Sequence, residues 1–373
     1  MKRHVFLASF IVLMIVHFSL FAQQQTEEKD GLLGSLRNLA QDAAVAYVKP
    51  INSGFGTDLN SGWYHRAPRA TMFGFDLEFG VVAMGTVFND EQKKFSTNGM
   101  FRLDSSQAAD LTSFIQTDPS FNPYTLSQRQ ALQREAINQI RGVDFNLSLS
   151  GPTAAGSQSD TVKFHFKSKS VTLVDPNTGL STTITVPQQD VALEGVTGLY
   201  GSDVSVFPWL APQLTIGTFF GSQFTFRFLP TTDVKEFGRI SYFGFGIQHN
   251  PMVWFNDPLP LDVSLGYFSQ KLKLGSYLEA TTSAFSLNAS IRLGWGFLNL
   301  TPYVGYMIES SNFKYQYDYM FESVPQTISF EQKGENRSRL TLGASVKVLF
   351  INVNADINLG KYKAISGGIM III

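Results

Sequence analysis

Setting aside the first 22 residues leaves three histidines, His65, His165 and His249. No two of them lie three or four residues apart, so the helical spacing of a zinc site is absent. His165 stands between Lys163 and Lys167 at two-residue spacing, which puts all three on the polar face of a short strand. There it can serve as an acid or base facing water, or be an ordinary solvated polar position. His249 closes the run FGFGIQH just before Asn250-Pro251, a turn signal, and fits a turn-stabilising role at the rim of a barrel. Asp76 and Glu78 share one strand face. Paired carboxylates can raise a pKa or hold a cation. Set opposite Arg227, Arg292 or Lys347, they form a charge ladder facing water. Serine is plentiful, so a membrane-embedded serine hydrolase has its raw materials, but the elbow G-x-S-x-G is absent and no enzyme is expected. Cysteine is absent altogether, which excludes disulfides and thiolate metal sites. No metal and no cofactor are expected.

The composition narrows what can hold these residues. Charged residues make up 16% of the 373 and aromatic residues 13%, with 33 Phe. The mean hydropathy is zero. Many apolar residues, diluted one for one by small polar ones, give this profile, and a transmembrane barrel makes that dilution along every strand. Residues 1–22 read as a signal peptide: Lys2, Arg3 and His4 precede an apolar run, and Ala22 is the small residue before Gln23. Removing them takes away Lys2 and Arg3 and leaves 27 basic against 30 acidic side chains. No basic block remains, so nucleic acid is not an expected partner.

Residues 30–48 carry Leu32, Leu36, Leu39 and Ala43 on one helical face, and Lys49-Pro50 marks the stop. Residues 51–62 read as a Gly/Asn/Ser loop. From Trp63 onward the period is two. Phe73, Phe75, Leu77, Phe79 and Val81 alternate with Gly74, Asp76, Glu78 and Gly80. Phe285, Leu287, Ala289, Ile291, Leu293 and Trp295 oppose Ser286, Asn288, Ser290, Arg292 and Gly294. Ile351, Val353, Ala355, Ile357 and Leu359 oppose Asn352, Asn354, Asp356 and Asn358. The apolar parity is even over 342–348 and odd over 351–359, which predicts a tight turn near Leu349. The polar face is rich in Gly, Ser, Asn and Thr rather than Lys and Glu, as in a lumen. Aromatics such as Trp254, Phe255, Tyr267, Trp295 and Tyr303 stand near run ends, as in interfacial girdles.

The expected fold is therefore all-β: an antiparallel transmembrane β-barrel of about 12 strands, between about 10 and 14. Residues 23–62 are a short N-terminal helical segment able to plug it, and residues 63–373 are the barrel. Residues 145–149 and 162–167, with 95–102 and 180–187, are counted among its strands. A helical insertion occupies residues 103–141, with Asp104 or Ser105 capping a first helix to Gln116 and Thr125 with Gln128 boxing a second. Residues 310–336 read as a long surface loop.

Several segments resemble an uncharacterised family of outer-membrane barrels from Bacteroidetes-type bacteria, a domain of unknown function. They are AYVKPINSGFGTDLNSGWY (46–64), GFDLEFGVVAMGTVF (74–88), PWLAPQLTIGTFFGSQFTFRFLP (208–230), GRISYFGFGIQHNP (238–251), PLPLDVSLGYFSQKLKLG after it, and the closing NRSRLTLGASVKVL run. The resemblance implies a barrel and no assigned activity. The layout, a helical N-terminus leading into strands, is also similar to the long-chain fatty-acid transporter class. The last strand, apolar on both faces and ending in isoleucines, departs from the usual aromatic terminus and suggests an inner face packed on a plug.

The leading functional expectation is passive passage of small apolar or amphipathic molecules across the outer membrane, with membrane lipid as the surrounding partner. The lumen would be lined by Asp76, Glu78, Arg227, Asn288, Arg292 and Lys347, and narrowed from the periplasmic end by the helix bearing Leu32, Leu36 and Leu39. The alternative is a non-transporting structural or surface-interaction barrel. A filled lumen with protruding loops, residues 310–336 serving as the contact loop, would favour that alternative. A Ser and a His in contact at the membrane-facing rim would favour a membrane-embedded hydrolase.

Overall fold

The computed structural model describes residues 32–174, 181–201, 206–234, 238–255, 260–295, 297–321 and 324–373. The expected signal peptide, residues 1–22, lies outside the described residues. Among the described residues two compact units are formed: those of 48–90 with those of 202–373, and residues 32–47 with those of 91–201. In chain order, helix α1 (Leu32–Asn60) precedes strand β1 (Phe73–Val87). Next come β2 (Lys94–Phe101), helices α2 (Ser105–Leu111), α3 (Phe114–Thr117) and α4 (Leu126–Arg141), and strands β3 (Phe145–Pro152), β4 (Thr161–Phe166), β5 (Lys169–Val174), β6 (Ser181–Val186) and β7 (Gln189–Thr197). The remaining strands are β8 (Val206–Phe219), β9 (Ser222–Val234), β10 (Gly238–His249), β11 (Asp262–Leu274), β12 (Leu278–Ser290) and β13 (Leu293–Trp295). They are followed by β14 (Leu298–Phe321), β15 (Val324–Lys333), β16 (Ser338–Val348), β17 (Ile351–Gly360) and β18 (Lys363–Ile372).

Among the described residues, ten strands close the barrel in the order β1-β8-β9-β10-β11-β12-β14-β16-β17-β18, and β18 pairs back onto β1. Every pair is antiparallel. Two further strands of the same sheet stand outside the ring: β13 pairs with the start of β14 and β15 with its far end. Closure leaves no unpaired edge, which is what a spanning sheet requires in lipid. Alternation sets the two faces. Leu287, Ile308, Val353, Ile365 and Ile369 point outward and are exposed, whereas Asn288, Thr341, Asn354 and Ser366 point inward and are buried. The parity switch is met by a two-residue turn at Leu349 and Phe350, with Leu349 in the left-handed region at φ 55°. A closed antiparallel barrel with an apolar outer band is a membrane-spanning structure, and the protein resides in the bacterial outer membrane.

The second unit has its own sheet, β2-β3-β4-β7, and a separate hairpin, β5-β6. Phe101, Phe145, Leu147 and Leu149 are among its buried apolar residues, and Leu39 packs against Gly99 on β2. Asp104 caps α2 and Thr125 caps α4, each in a reciprocal box with Gln107 and Gln128.

Several expectations are corrected. The segments 95–102, 145–149, 162–167 and 180–187 alternate like barrel strands, but they build the insertion, which spans 91–201 rather than 103–141. A period of two reports a half-buried strand and cannot report which sheet it joins. The first helix of the insertion ends at Leu111, and a separate short helix reaches Thr117. The expected loop at 310–336 is the hairpin of β14 and β15. The run 285–295 is broken after Ser290, and Gly294 takes φ 124° within the three-residue β13.

Candidate functional site in the barrel interior

Helix α1 does not stop at Pro50. It continues to Asn60 and fills the barrel, with residues 52–60 buried. The Gly/Asn/Ser composition that reads as a loop is instead the composition of a helix fitted into a narrow tube. A Cβ at Gly54 would approach the Phe88 ring to 2.8 Å, and one at Gly56 would collide with Ser311. Thr57 and Ser61 donate their hydroxyls back to the carbonyls of Ser53 and Thr57, at 2.9 and 2.7 Å. Thr86 of β1 donates to Gly54 O at 2.9 Å and to Asp58 Oδ1 at 2.8 Å. The apolar side of this stretch, Phe55 and Leu59, joins one core with Val82, Met84, Tyr242, Phe313 and Met370. Met370 is on the inner face of the last strand, which accounts for that strand being apolar on both sides.

The helix begins its passage at a latch. Glu335, in the turn between β15 and β16, takes Lys49 at 2.9 Å, Lys361 at 2.7 Å and the Tyr362 hydroxyl at 3.0 Å. Partial burial pushes the Glu335 carboxyl up, but the hydrogen bonds from Lys361, Lys49 and Tyr362 outweigh it and hold it down at about 2.

The C-terminal end of α1 lies deep in the barrel, where its last carbonyls have no helical partner. Two buried arginines supply donors. Arg227 Nη1 donates to Leu59 O at 3.1 Å and Nη2 to Ser61 O at 2.8 Å. Arg339 Nη1 donates to Thr57 O at 3.0 Å, and its Nη2 to Asn60 O. Gln270 also donates to Leu59 O. Cations are favoured at a helix C-terminus by the macrodipole, which adds to these bonds. Gly62, at φ 66°, then turns the chain out of the helix.

Residues 63–68 carry the plug onward. Trp63 stacks on Phe268 with ring centroids 5.0 Å apart, and the Arg227 guanidinium lies over the Trp63 ring, 4.1 Å from its centroid. The inward positions of β10 opposite Trp63 are Gly244 and Gly246, where a Cβ would press on the indole. Tyr64 meets Tyr303 edge-on at 6.2 Å, and Tyr303 donates to Asp356 at 2.8 Å. Arg66 pairs with Glu78 and lies 3.7 Å from Asp76, and His65 Nε2 is 3.2 Å from Glu78. Asn250 donates to Pro68 O at 2.8 Å, and Ala67 N donates to Ser290 Oγ at 3.0 Å.

The structure brings three of the expected lumen residues, Asp76, Glu78 and Arg227, onto the plug. The charge ladder is corrected: Asp76 and Glu78 face Arg66 of the plug. Asn288 is buried in the wall and accepts from Ser264 at 2.9 Å. Arg292 lies past the end of β12, 4.0 Å from Asp262. Lys347 is half-buried at an inward position of β16. The plug residues are also corrected. Leu39 packs in the insertion unit, and the side chains of Leu32 and Leu36 lie outside the described residues. Arg339, Arg66, Trp63, Asp58 and Gln270 were not singled out from sequence. Arg339 was legible, since it extends the inward parity of Thr341, Gly343 and Ser345. His249 is at the rim, accepting from Trp254 Nε1 at 3.2 Å and meeting Ser222 Oγ at 3.0 Å. Among the described residues, no group of three His, Asp or Glu is placed to hold a metal.

Among solved structures, the chain is similar to in-vitro folded OmpT of Vibrio cholerae in its trimer form. The identity is 7% and the TM-score 0.20, over 81% of this chain and 100% of that one. It is similar to the anion-selective porin of Comamonas acidovorans at 11% identity and TM-score 0.16, over 80% and 99% of the two chains. The barrel assignment rests on the strand pairing itself. No protein of curated function matches the sequence. A family profile matches the chain over residues 1–373, and the chain belongs to that family, the family of unknown function DUF6588.

Proposed function

We propose that the protein is an outer-membrane anchor whose barrel is closed by its own chain and which carries the inserted unit, residues 91–201, on the outer side of the membrane. The observation that supports this reading is the fill of the lumen. Residues 52–68 occupy the interior and are joined to β1 at one end and to the rest of α1 at the other. A plug tethered at both ends and held by Arg227, Arg339, Gln270 and Glu78 is part of the fold. The connections support this orientation. The insertion leaves at the end of β1 and returns at the start of β8, and the β14–β15 hairpin extends from the same end of the barrel. Outer-membrane barrels keep short turns in the periplasm and longer connections outside. Lys49 bonds Glu335 at this same end, so the passage of α1 through the barrel begins there. Membrane lipid is the partner of the apolar belt.

The second reading is passage of small apolar or amphipathic molecules, in line with the layout similar to the long-chain fatty-acid transporter class. It requires residues 52–68 to move. Buried polar atoms at the plug and wall that lack a protein hydrogen bond, such as Asp58 Oδ2 and Asn288 Nδ2, favour it, because water drawn to them would loosen the boundary.

One experiment separates the two. The chain has no Cys, so an Asn138→Cys variant offers one thiol, on the exposed face of α4. The expected result is labelling by a membrane-impermeant maleimide on intact cells, together with no steady conductance of the wild-type protein in planar bilayers. Protection of that thiol overturns the anchor orientation. Steady wild-type conductance overturns closure and favours passage.

A further inference from the structure

The insertion unit holds three side chains that the barrel reading does not use. Ser150 on β3, His165 on β4 and Asp190 on β7 lie on one face of the four-stranded sheet. Ser150 Oγ is 2.8 Å from His165 Nε2, and His165 Nδ1 is 2.9 Å from Asp190 Oδ1. The sheet register produces the line. His165 is directly opposite Ser148 on one side and Asp190 on the other, so Ser150 reaches the imidazole diagonally across β3 and β4. The other face of these strands, Phe145, Leu147 and Leu149, is buried, which fixes the pleat and with it the direction of the polar face.

We propose that Ser150, His165 and Asp190 form a hydrolytic triad for small carboxylic esters that carry a negative charge. A nucleophile within hydrogen-bond reach of a base, itself oriented by a third group, is the geometry that activates a serine, and it is recognised by position rather than by a sequence motif. Asp190 holds the Nδ1–H tautomer, leaving Nε2 free to take the serine proton. The backbone amides of β3 are engaged with β2 and β4, so the oxyanion falls to a side chain. Lys163, directly opposite Ser150 in the register, is the cation nearest the nucleophile along that face. On the same face, beyond His165 and two same-face steps along β3 from Ser150, is a depression of about 370 Å³ lined by Asn98, Gly99, Met100, Asn146, Leu147 and Lys167. Asn146 and Lys167 are one same-face step along from Ser148 and His165, so the depression can seat the acyl portion while Lys167 meets its charge.

The reaction balances with water as the second reactant. Ser150 Oγ bonds to the ester carbonyl carbon as its proton passes to His165 Nε2. The carbon–oxygen bond to the leaving alcohol breaks, and the alkoxide takes that proton. Water then attacks the acyl-serine, gives a proton to His165, and releases the acid as the proton returns to Ser150.

The test uses the full-length protein in detergent micelles, with a fluorophosphonate probe and two aryl esters of equal length, one bearing a carboxylate and one neutral. The expected result is covalent labelling of Ser150 located by peptide mass spectrometry. Labelling is lost in Ser150→Ala and slowed at least about tenfold in Asp190→Asn. Hydrolysis favours the charged ester. Lys163→Ala lowers kcat, and Lys167→Ala raises KM for the charged ester alone. Circular dichroism of each variant separates loss of chemistry from loss of folding. Absence of label on Ser150 in the folded wild type, or unchanged ester turnover in Ser150→Ala, overturns the proposal and leaves the three residues as a polar cross-strand ladder.

Discussion

The Arg227 guanidinium lies 4.1 Å from the Trp63 ring while donating to the carbonyls of Leu59 and Ser61 at 3.1 and 2.8 Å. One side chain of the wall thus holds the end of the helix and the first aromatic residue beyond it. Both partners are buried, so neither interaction is screened by water.

Replacing Arg227 by Ala removes the cation from the indole face and one donor from each of these carbonyls, leaving Leu59 O with Gln270 alone. Breaking a buried charge interaction of this kind costs roughly 3–5 kcal/mol. Arg227→Ala is expected to unfold at markedly lower urea in micelles. Arg227→Lys, which keeps the charge but cannot fork to two carbonyls, is expected to fall between the two. Equal stability of Arg227→Lys and wild type would mean the fork does not matter.

Closure is expected to depend on both arginines. The Arg227→Ala, Arg339→Ala double variant should show conductance or detergent-accessible water in the lumen where the wild type shows none. If the folded double variant stays closed in planar bilayers, packing of Phe55, Leu59 and Trp63 alone holds the plug.

The fit of helix to wall is tested at Gly56. A Cβ there collides with the Ser311 side chain. Gly56→Ala is expected to destabilise the barrel by about 1–3 kcal/mol, as overpacking does. Ser311→Gly removes the colliding atoms, so the pair should recover part of that loss. A double-mutant cycle with no coupling energy would show that the two residues do not meet.

Facing is tested on β12. Leu287 points outward and Ser286 inward. Leu287→Arg should cost roughly 2–4 kcal/mol near the bilayer midplane, whereas Ser286→Ala should change stability far less. Urea unfolding in lipid vesicles gives both numbers, and equal losses would contradict the assigned faces.

The latch at Glu335 makes a pH-dependent contribution. Its carboxyl is held from the ordinary 4.5 down to about 2, so the folded state favours the ionised form. The stabilisation is complete above the ordinary value and is lost as the pH falls from there through about 2. Melting temperature in micelles should therefore drop over that window in the wild type. In Glu335→Gln the drop should be smaller, with the melting temperature lower at neutral pH. Identical pH profiles would exclude the latch.

The sequence by itself determined the class of fold and the facing of the strands whose alternation is unbroken. Alternation in 285–290, 341–348 and 351–359 is a local property, because successive side chains of a strand point to opposite sides wherever the strand ends up. Capping at Thr125, and at Asp104 or its neighbour Ser105, was legible for the same reason, since a cap closes within four residues; the structure gives the first cap to Asp104. Assignment to sheets was not local. Residues 145–149 and 162–167 carry the same period as β16 and β17, and only long-range pairing separates the insertion sheet from the barrel. The fate of residues 51–62 was likewise decided by tertiary structure. Glycine, serine and asparagine disfavour a helix in water, where exposed backbone competes for hydrogen bonds. Inside a ten-stranded barrel the same small side chains are what allow a helix to fit. The wall then supplies, through Arg227, Arg339 and Gln270, the donors that the helix end needs. The line from Ser150 through His165 to Asp190 was hidden for the same reason: residues 15 and 25 apart meet only because β3, β4 and β7 pair in one register.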